Sequence, residues 1–298
     1  MNDQAYKLRE LAGAGMFSAL ALDDQAPQPP QSPSRCTSIA VTSGKGGVGK
    51  TNIALSLAIA LSRMKKKVLL VDGDLGLANL HLLLGVAPRF NLSHVFMGER
   101  RMHEIIWNGP MGVDILPGAS GIEEMANLGV TALDRAGNLL EELEQEYDFL
   151  IIDTAAGIGA SVTRLASRTD CALVVLTPEP TSLADAYATA KVLFERGAPR
   201  IAAVVNMAVS GREGAETFDR LNTLVVKFLR KKVLSYGILP YEWDVPRSVR
   251  KQRSILLEKP GSRFSEKIQS VAWKVSGMTP LSPEGFFKRL WKARRMAA

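Results

Sequence analysis

Ten residues, Ser43-Gly-Lys-Gly-Gly-Val-Gly-Lys-Thr-Asn52, limit what this chain can fold into more than any other stretch. Gly44, Gly49, Lys50 and Thr51 keep the spacing of a Walker A loop, and both flanks supply the context such a loop needs. Ser38 to Thr42 has the apolar, β-branched pattern of a buried strand, and Ile53 to Leu61 suits a helix with apolar faces. Backbone N–H groups of Gly44, Lys45, Gly46, Gly47, Val48, Gly49 and the residues after them, through Asn52, would surround phosphate oxygens at the N-terminus of that helix. Lys50 would reach the outer phosphates, and the Thr51 hydroxyl would ligate magnesium. Gly44, Gly46 and Gly49 also spell a dinucleotide-site pattern, but such a site has no use for Lys-Thr directly after its third glycine.

The rest of the chain is compatible with one architecture. From Cys36 to about Leu257 strands and helices alternate, with strands expected at Ser38–Thr42, Lys67–Val71, Val113–Leu116, Phe149–Ile152, Cys171–Leu176, Ile201–Val205 and Val233–Leu239. Most are continuous apolar runs, as strands covered on both faces should be. Leu133 to Gln145 and Ser182 to Glu195 suit helices. The expected fold class is α/β, a doubly wound and mainly parallel sheet flanked by helices, with ligands at the carboxyl ends of its strands. Carboxylates fall at those ends: Val71 leads into Asp72-Gly73-Asp74, and Ile152 into Asp153. In a phosphate-loop protein the second is a Walker B aspartate, holding magnesium through water beside Thr51. Gly157 follows it where a loop must move with the nucleotide.

Two cysteines, Cys36 and Cys171, are too few for a disulfide framework and fit a reducing, cytosolic setting. No run reads as a secretory signal or approaches a spanning helix. His81, His94 and His103 show no metal spacing. The net charge of +7 is uneven, because from Glu284 onward five basic residues face one acid. There Phe286, Phe287, Leu290 and Trp291 fall within about 140° of a helical wheel, with Lys288, Arg289, Lys292 and Arg295 on the remainder. An aromatic face beside a basic one fits a helix lying on anionic lipid. Docking on the domain's own surface and a basic tail for nucleic acid are the competing readings. At the other end, residues 2–11 read as a short helix, and Asp23 to Ser34, with four prolines, as a linker. The chain thus divides into an N-terminal segment with its linker (1–35), a nucleotide-binding domain (36–276) and a C-terminal helix (277–298).

Lys45 is not required by an ordinary Walker A loop. With it, the chain resembles the deviant Walker A ATPases, the MinD and ParA group, over roughly Ser38 to Leu257. Asp72-Gly-Asp-Leu-Gly-Leu-Ala-Asn79 looks like the first switch of that group and Asp153-Thr-Ala-Ala-Gly157 like the second. Gly73 stands where many members carry alanine, and His81 where aspartate is common. Within the group the likeness is to the FlhG or FleN regulators of flagellar number. It rests on the switch phrases, on Glu179-Pro-Thr-Ser-Leu-Ala-Asp-Ala-Tyr187, and on Asp3, Gln4, Ala5, Leu8 and Arg9, which match an N-terminal activator motif.

The resemblance implies an ATPase that uses ATP and Mg2+ and forms an ATP-dependent homodimer. Lys45 would reach the partner's phosphates, Asp74 would position the attacking water, and Thr51, Asp74 and Asp153 would form the magnesium side of the site. Asn206 would recognise adenine, with Pro240, Tyr241 and Glu242 beside the base and Glu179, Thr181 and Asp185 near nucleotide or Lys45 across the dimer. It further implies that the N-terminal motif stimulates an FlhF-type GTPase, that flagellar switch components and a flagellar transcription activator are partners, and that the C-terminal helix brings a cytoplasmic protein reversibly to the inner membrane. The alternatives are a DNA-riding partition ATPase of ParA type and a binding regulator that sequesters a transcription activator. Nucleic acid is not expected as a partner, and an iron–sulfur carrier is disfavoured by the lack of a Cys-x-x-Cys.

Overall fold

The computed structural model describes residues 35–74, 80–117 and 138–295. The N-terminal activator residues Asp3, Gln4, Ala5, Leu8 and Arg9, and most of the first switch, lie outside the described residues. In chain order the elements are β1 (Thr37–Ser43), α1 (Lys50–Arg63), β2 (Val68–Gly73), α2 (Leu80–Leu84), α3 (Leu92–Phe96), α4 (Met102–Ile105), β3 (Trp107–Asn108), β4 (Asp114–Leu116) and a helix α5 over 138–144. Then follow β5 (Phe149–Ala156), α6 (Ala160–Ser167), β6 (Cys171–Leu176), α7 (Pro180–Glu195), β7 (Ile201–Ala208), α8 (Gly211–Leu229), β8 (Leu234–Pro240), α9 (Asp244–Arg250), α10 (Ile255–Glu258), α11 (Arg263–Ser276) and α12 (Phe286–Arg295).

The strands form one sheet in the order β3-β4-β2-β5-β1-β6-β7-β8. Every pairing is parallel except that of β3 with β4. The seven expected strands are present within a few residues of their anticipated ends, several running further toward the site, as β5 does to Ala156. β3 was not anticipated, since two residues carry no readable period. β1 lies at the centre between β5 and β6, so its carboxyl end opens at the point where the chain winds off in both directions, and a ligand fits in that crevice.

Strand residues alternate between the two faces of the sheet. Val68 and Leu70 of β2 and Ile39 and Val41 of β1 enter the core under α1 and α11. Leu69 and Val71 enter a second core under α3, α4, α5 and α12, while Ala40 and Val174 meet α6, α7 and α8. α1 is apolar all round because it is covered all round: nine consecutive residues, Ile53 to Leu61, are buried. The helix that follows the phosphate loop is therefore an immobile base for it.

The C-terminal helix is docked. Phe286 and Phe287 are each 1% exposed, and Leu290 is buried with them in the second core. Side chains of this size stabilise by about 1.5–3 kcal/mol each when fully buried. The Glu144 carboxylate accepts the N–H groups of Phe286 (2.7 Å) and Phe287 (3.2 Å), the first donors of α12. An acceptor is needed there because helix N-termini leave N–H groups without intrahelical partners. Burial pushes the pKa of Glu144 up, against the pull of those two N–H groups and of Arg289.

Arg289, which a helical wheel puts on the polar side, turns inward instead. It donates to Asp170 (3.0 Å), to the Arg168 carbonyl (2.8 Å) and to the Ser38 hydroxyl (3.0 Å). Hydrogen bonds from Arg289 and Ser38 hold the Asp170 carboxyl below the usual carboxylate range although burial opposes them. In this state the aromatic face and Arg289 are therefore committed to the domain, while Lys288 and Lys292 stay exposed, Lys292 pairing with Glu284. Among the described residues no helix is long and apolar enough to cross a membrane.

Gly285 makes this docking possible: a Cβ there would stand 2.7 Å from Glu144 Oε2. Gly285→Ala should displace the carboxylate from both N–H groups and lower the unfolding free energy by roughly 1–3 kcal/mol. Denaturant titration measures the loss, and limited proteolysis should show earlier cleavage between 277 and 285.

Candidate functional site

The phosphate loop turns through residues that only glycine fits easily. Gly47 (φ 78°) and Gly49 (φ 89°) are left-handed, and Gly49 directly precedes α1 with no side chain capping the helix. The first N–H groups of α1 are therefore aimed at the loop's interior, where an anion would take them. Gly46 and Gly47 are exposed at the mouth.

The loop is gripped from outside. Ser43 Oγ donates to the Lys45 carbonyl (2.7 Å), and the Gly157 N–H donates to the Ser43 carbonyl (2.8 Å), tying the turn after β5 to the start of the loop. Asn206, at the end of β7, donates from Nδ2 to the Val48 carbonyl (2.8 Å). Gly49 packs so close that a Cβ there would lie 2.6 Å from that Nδ2, and one on Gly44 would lie 2.5 Å from the Asp185 carbonyl oxygen. The resemblance assigned Asn206 to the base; its bond in this structure is to the loop.

Asp153 lies at the carboxyl end of β5, opposite Val41 of β1 and Asp72 of β2. It is 1% exposed, and neither carboxylate oxygen accepts a hydrogen bond of ordinary geometry. Burial pushes its pKa up to about 7, with the neighbouring Thr51 hydroxyl and Lys50 pulling the other way. A buried carboxylate without a donor is costly unless something cationic joins it. The oxygen donors, a hydroxyl at Thr51 and a carboxylate at Asp153, fit a divalent cation held jointly with phosphate oxygens, and the Lys50 ammonium nearby is placed to meet phosphate charge instead. Among the described residues no cluster of three or more His, Cys, Asp or Glu could hold a metal by itself.

Asp72, which the sequence places at the end of β2 without a role of its own, is a second buried carboxylate beside the site. It accepts the N–H groups of Asp74 (3.2 Å) and Leu80 (3.4 Å), and burial raises its pKa to about 6. It thereby braces both ends of the first switch, between which residues 75–79 lie outside the described residues. Its position two residues before Asp74 at a strand end was the available signal. Gly73 between them has no room for a side chain, because a Cβ would stand 2.7 Å from the Asp153 carbonyl oxygen.

Lys45 does not turn into its own loop. Its ammonium bonds Glu179 Oε2 at 2.7 Å and Thr181 Oγ1 at 3.1 Å, at the N-terminal end of α7. After β8 the Tyr241 N–H donates to the Ala208 carbonyl (2.9 Å), placing Pro240 and Tyr241 beside β7, and Tyr241 meets Trp243 edge-on at 5.3 Å. Glu242 Oε2 is buried without a hydrogen-bond partner.

Fold and site together define a phosphate-loop nucleoside triphosphatase with an additional lysine at the loop's start. Comparison with known proteins narrows this. A family model described as an AAA domain matches residues 36–193. The chain is 40% identical over 251 residues to the antiactivator FleN of Pseudomonas aeruginosa, covering 83% of this chain and 89% of that protein. It is 34% identical over 264 residues to the flagellum site-determining protein YlxH of Helicobacter pylori, covering 85% and 89%. The cell division ATPase MinD of Pyrococcus furiosus superposes with a TM-score of 0.63 at 28% identity, over 80% of this chain and 98% of that one. MinD of Pyrococcus horikoshii, complexed with Mg-ADP, does so with 0.64 at 27%, over 81% and 96%. The chain belongs to the FleN and FlhG family of MinD-like ATPases.

Gly44→Ala should push the loop off Asp185, whose obstructing atom is backbone and cannot rotate away. Overpacking of this kind costs about 1–3 kcal/mol, so nucleotide affinity should fall by roughly tenfold or more. Calorimetric titration with ADP and ATP measures it.

Proposed function

We propose that the chain is an ATP-driven regulator of flagellar number and placement, active as a dimer of two ATP-loaded copies. The observation that carries this reading is Lys45. A lysine at the start of an otherwise complete phosphate cradle points away from it and is held by Glu179 and Thr181 of its own subunit. Both partners are exposed on the nucleotide face, and the Lys45 and Glu179 side chains are 40% and 63% exposed. An ion pair so exposed stabilises by less than about 1 kcal/mol. It is a resting place that Lys45 can leave for the phosphates of a second copy.

The chain's residues then divide the work. Backbone N–H groups of residues 44–52 bind the phosphates, and Lys50 with the second copy's Lys45 neutralises charge developing on the transferring group. Thr51 and, through water, Asp153 would hold magnesium, which when bound screens the phosphate oxygens. Asp74 orients the attacking water. Asn206, already bonded to Val48, couples the base end of the site to the loop. The Mg-ADP complex of the horikoshii MinD supports magnesium nucleotide as the ligand.

The names of the relatives support the biological side: one is an antiactivator, the other a flagellum site-determining protein. Our reading is that the ATP dimer binds a flagellar transcription activator and switch components. Its N-terminal motif around Gln4 would engage an FlhF-type GTPase, and α12, once released from Glu144 and Asp170, would bind anionic lipid at the inner membrane. Two states with different contacts to the outermost phosphate are enough to make ATP the timer.

The test is the oligomeric state. With ATP and magnesium the wild type should double its mass by light scattering, and Lys45→Ala should remain monomeric while still binding ATP. A Lys45→Ala protein that dimerises as the wild type does would overturn the cross-subunit role.

A further inference from the structure

Among the described residues β8 pairs with β7 and with no other strand, so it is an edge of the sheet. An edge strand turns a row of N–H and C=O groups outward. Helices cover both of its faces: Gly237 packs under Val271 of α11, and Ile238 against Gly214 of α8. A groove of about 270 Å³ is lined by Tyr236, Gly237 and Ile238 of the strand, by Ser210 and Gly211 at the start of α8, and by α11. Because it reaches helices on opposite faces of the sheet with β8 between them, it lies along the open edge.

The groove is cationic. Arg263, Lys267, Ser270 and Lys274 of α11 all line it and are all exposed. Their spacing of i, i+4, i+7 and i+11 makes one stripe of the helix, beside the buried stripe of Phe264, Ile268, Val271 and Val275. No Asp or Glu lines the groove. Glu266, the one acid of α11, is not among the lining residues, and Glu213 of α8 accepts the Val209 N–H (2.7 Å). Lys274 reaches the Ser235 carbonyl (3.1 Å), supplying the donor that a carbonyl on an open edge lacks. A lysine at an edge, like the extra residue Tyr236 in the pairing of β8 with β7, keeps other chains from pairing there indiscriminately. One lysine is enough for a guard; three cations along one groove favour a strand of opposite charge. We propose that this edge binds an extended, acidic segment of a partner protein, which adds to the sheet through its main chain and meets Arg263, Lys267 and Lys274 with its carboxylates.

The chemistry favours a peptide over other polyanions. Outward carbonyls of β8 need N–H donors, which a peptide main chain supplies and a phosphodiester backbone lacks. Side chains of an added strand alternate between the faces of the sheet, so carboxylates at every second residue all fall on the side of α11. One end of the groove is at Val209, just past Asn206, and none of its lining residues belongs to the phosphate loop or the switches. Binding here therefore does not depend on the ATP-driven dimer.

The experiment is fluorescence anisotropy of a labelled decapeptide that alternates Glu and Thr, titrated with the full chain without nucleotide. Three proteins are compared: wild type, Lys267→Glu/Lys274→Glu, and Lys65→Glu/Lys67→Glu, which makes the same change in net charge beside β2 on the far half of the sheet. The wild type should bind the peptide saturably. Lys267→Glu/Lys274→Glu should bind it at least about tenfold more weakly, with melting temperature and ATP hydrolysis unchanged. Lys65→Glu/Lys67→Glu should stay within about twofold of wild type, because charges so far away are screened. The same peptide with every main-chain nitrogen methylated keeps its charge and lacks its N–H groups, and should also bind at least about tenfold more weakly. If the reversals lower the melting temperature, Arg263→Gln/Lys267→Gln replaces them. No saturable binding by the wild type, equal affinities in the two variants, or full affinity of the methylated peptide overturns the proposal. So does duplex DNA that displaces the peptide from the wild type and fails to bind Lys267→Glu/Lys274→Glu alone, which gives the groove to nucleic acid.

Discussion

An anion-binding loop has to keep its N–H groups unpaired until the anion arrives, and most of this architecture answers that constraint. The loop cannot stiffen itself with side chains, since Gly44, Gly47 and Gly49 are where backbone must approach backbone or turn left-handed. Its rigidity comes from neighbours: Asn206 from β7, the turn at Gly157 after β5, and Asp185 on α7. Beneath it, nine buried residues of α1 leave the helix no freedom to recoil. The supporting groups stand at the carboxyl ends of β5 and β7 and on α7, the helix that follows β6. Movements of the nucleotide site are therefore transmitted to several strands at once.

The same frame links the site to the opposite end of the sheet. Ser38 is the second residue of β1, whose far end is the loop. Its N–H and hydroxyl both reach Asp170, which also holds Arg289 and the Leu281 N–H. α12 is thus bonded to the root of the strand that carries the phosphate loop. A buried ion pair of this kind gives little net stability but is costly to break from one side only. It suits a contact that is either fully made or fully released. Lys45 shows a similar economy at the other end, with an exposed pair that is easily exchanged for another.

Much of this was legible in the sequence because the signals are local. The loop spacing, the continuous apolar strands and the aspartates ending β2 and β5 can all be read within windows of a dozen residues. What was not legible depends on partners far along the chain. Arg289 looked like a surface cation because Asp170, 119 residues away, is invisible to a helical wheel. An aromatic and basic face is the same pattern whether it meets lipid or a domain, and the deciding group, Glu144, is 142 residues from Phe286. The bond by which Asn206 grips Val48 of the loop spans 158 residues. The strand β3 escaped because two residues have no period. The groove along β8 escaped because its strand and its cations come from β8 and α11, and only folding brings them together.

In the proposed function ATP releases α12 from a domain that holds it at rest. The amide protons of Phe286 and Phe287, bonded to Glu144, report on this directly through hydrogen exchange. They should exchange slowly with no nucleotide or with ADP, and at least about tenfold faster with magnesium and a slowly hydrolysed ATP analogue. Equal protection in all three conditions would contradict the account.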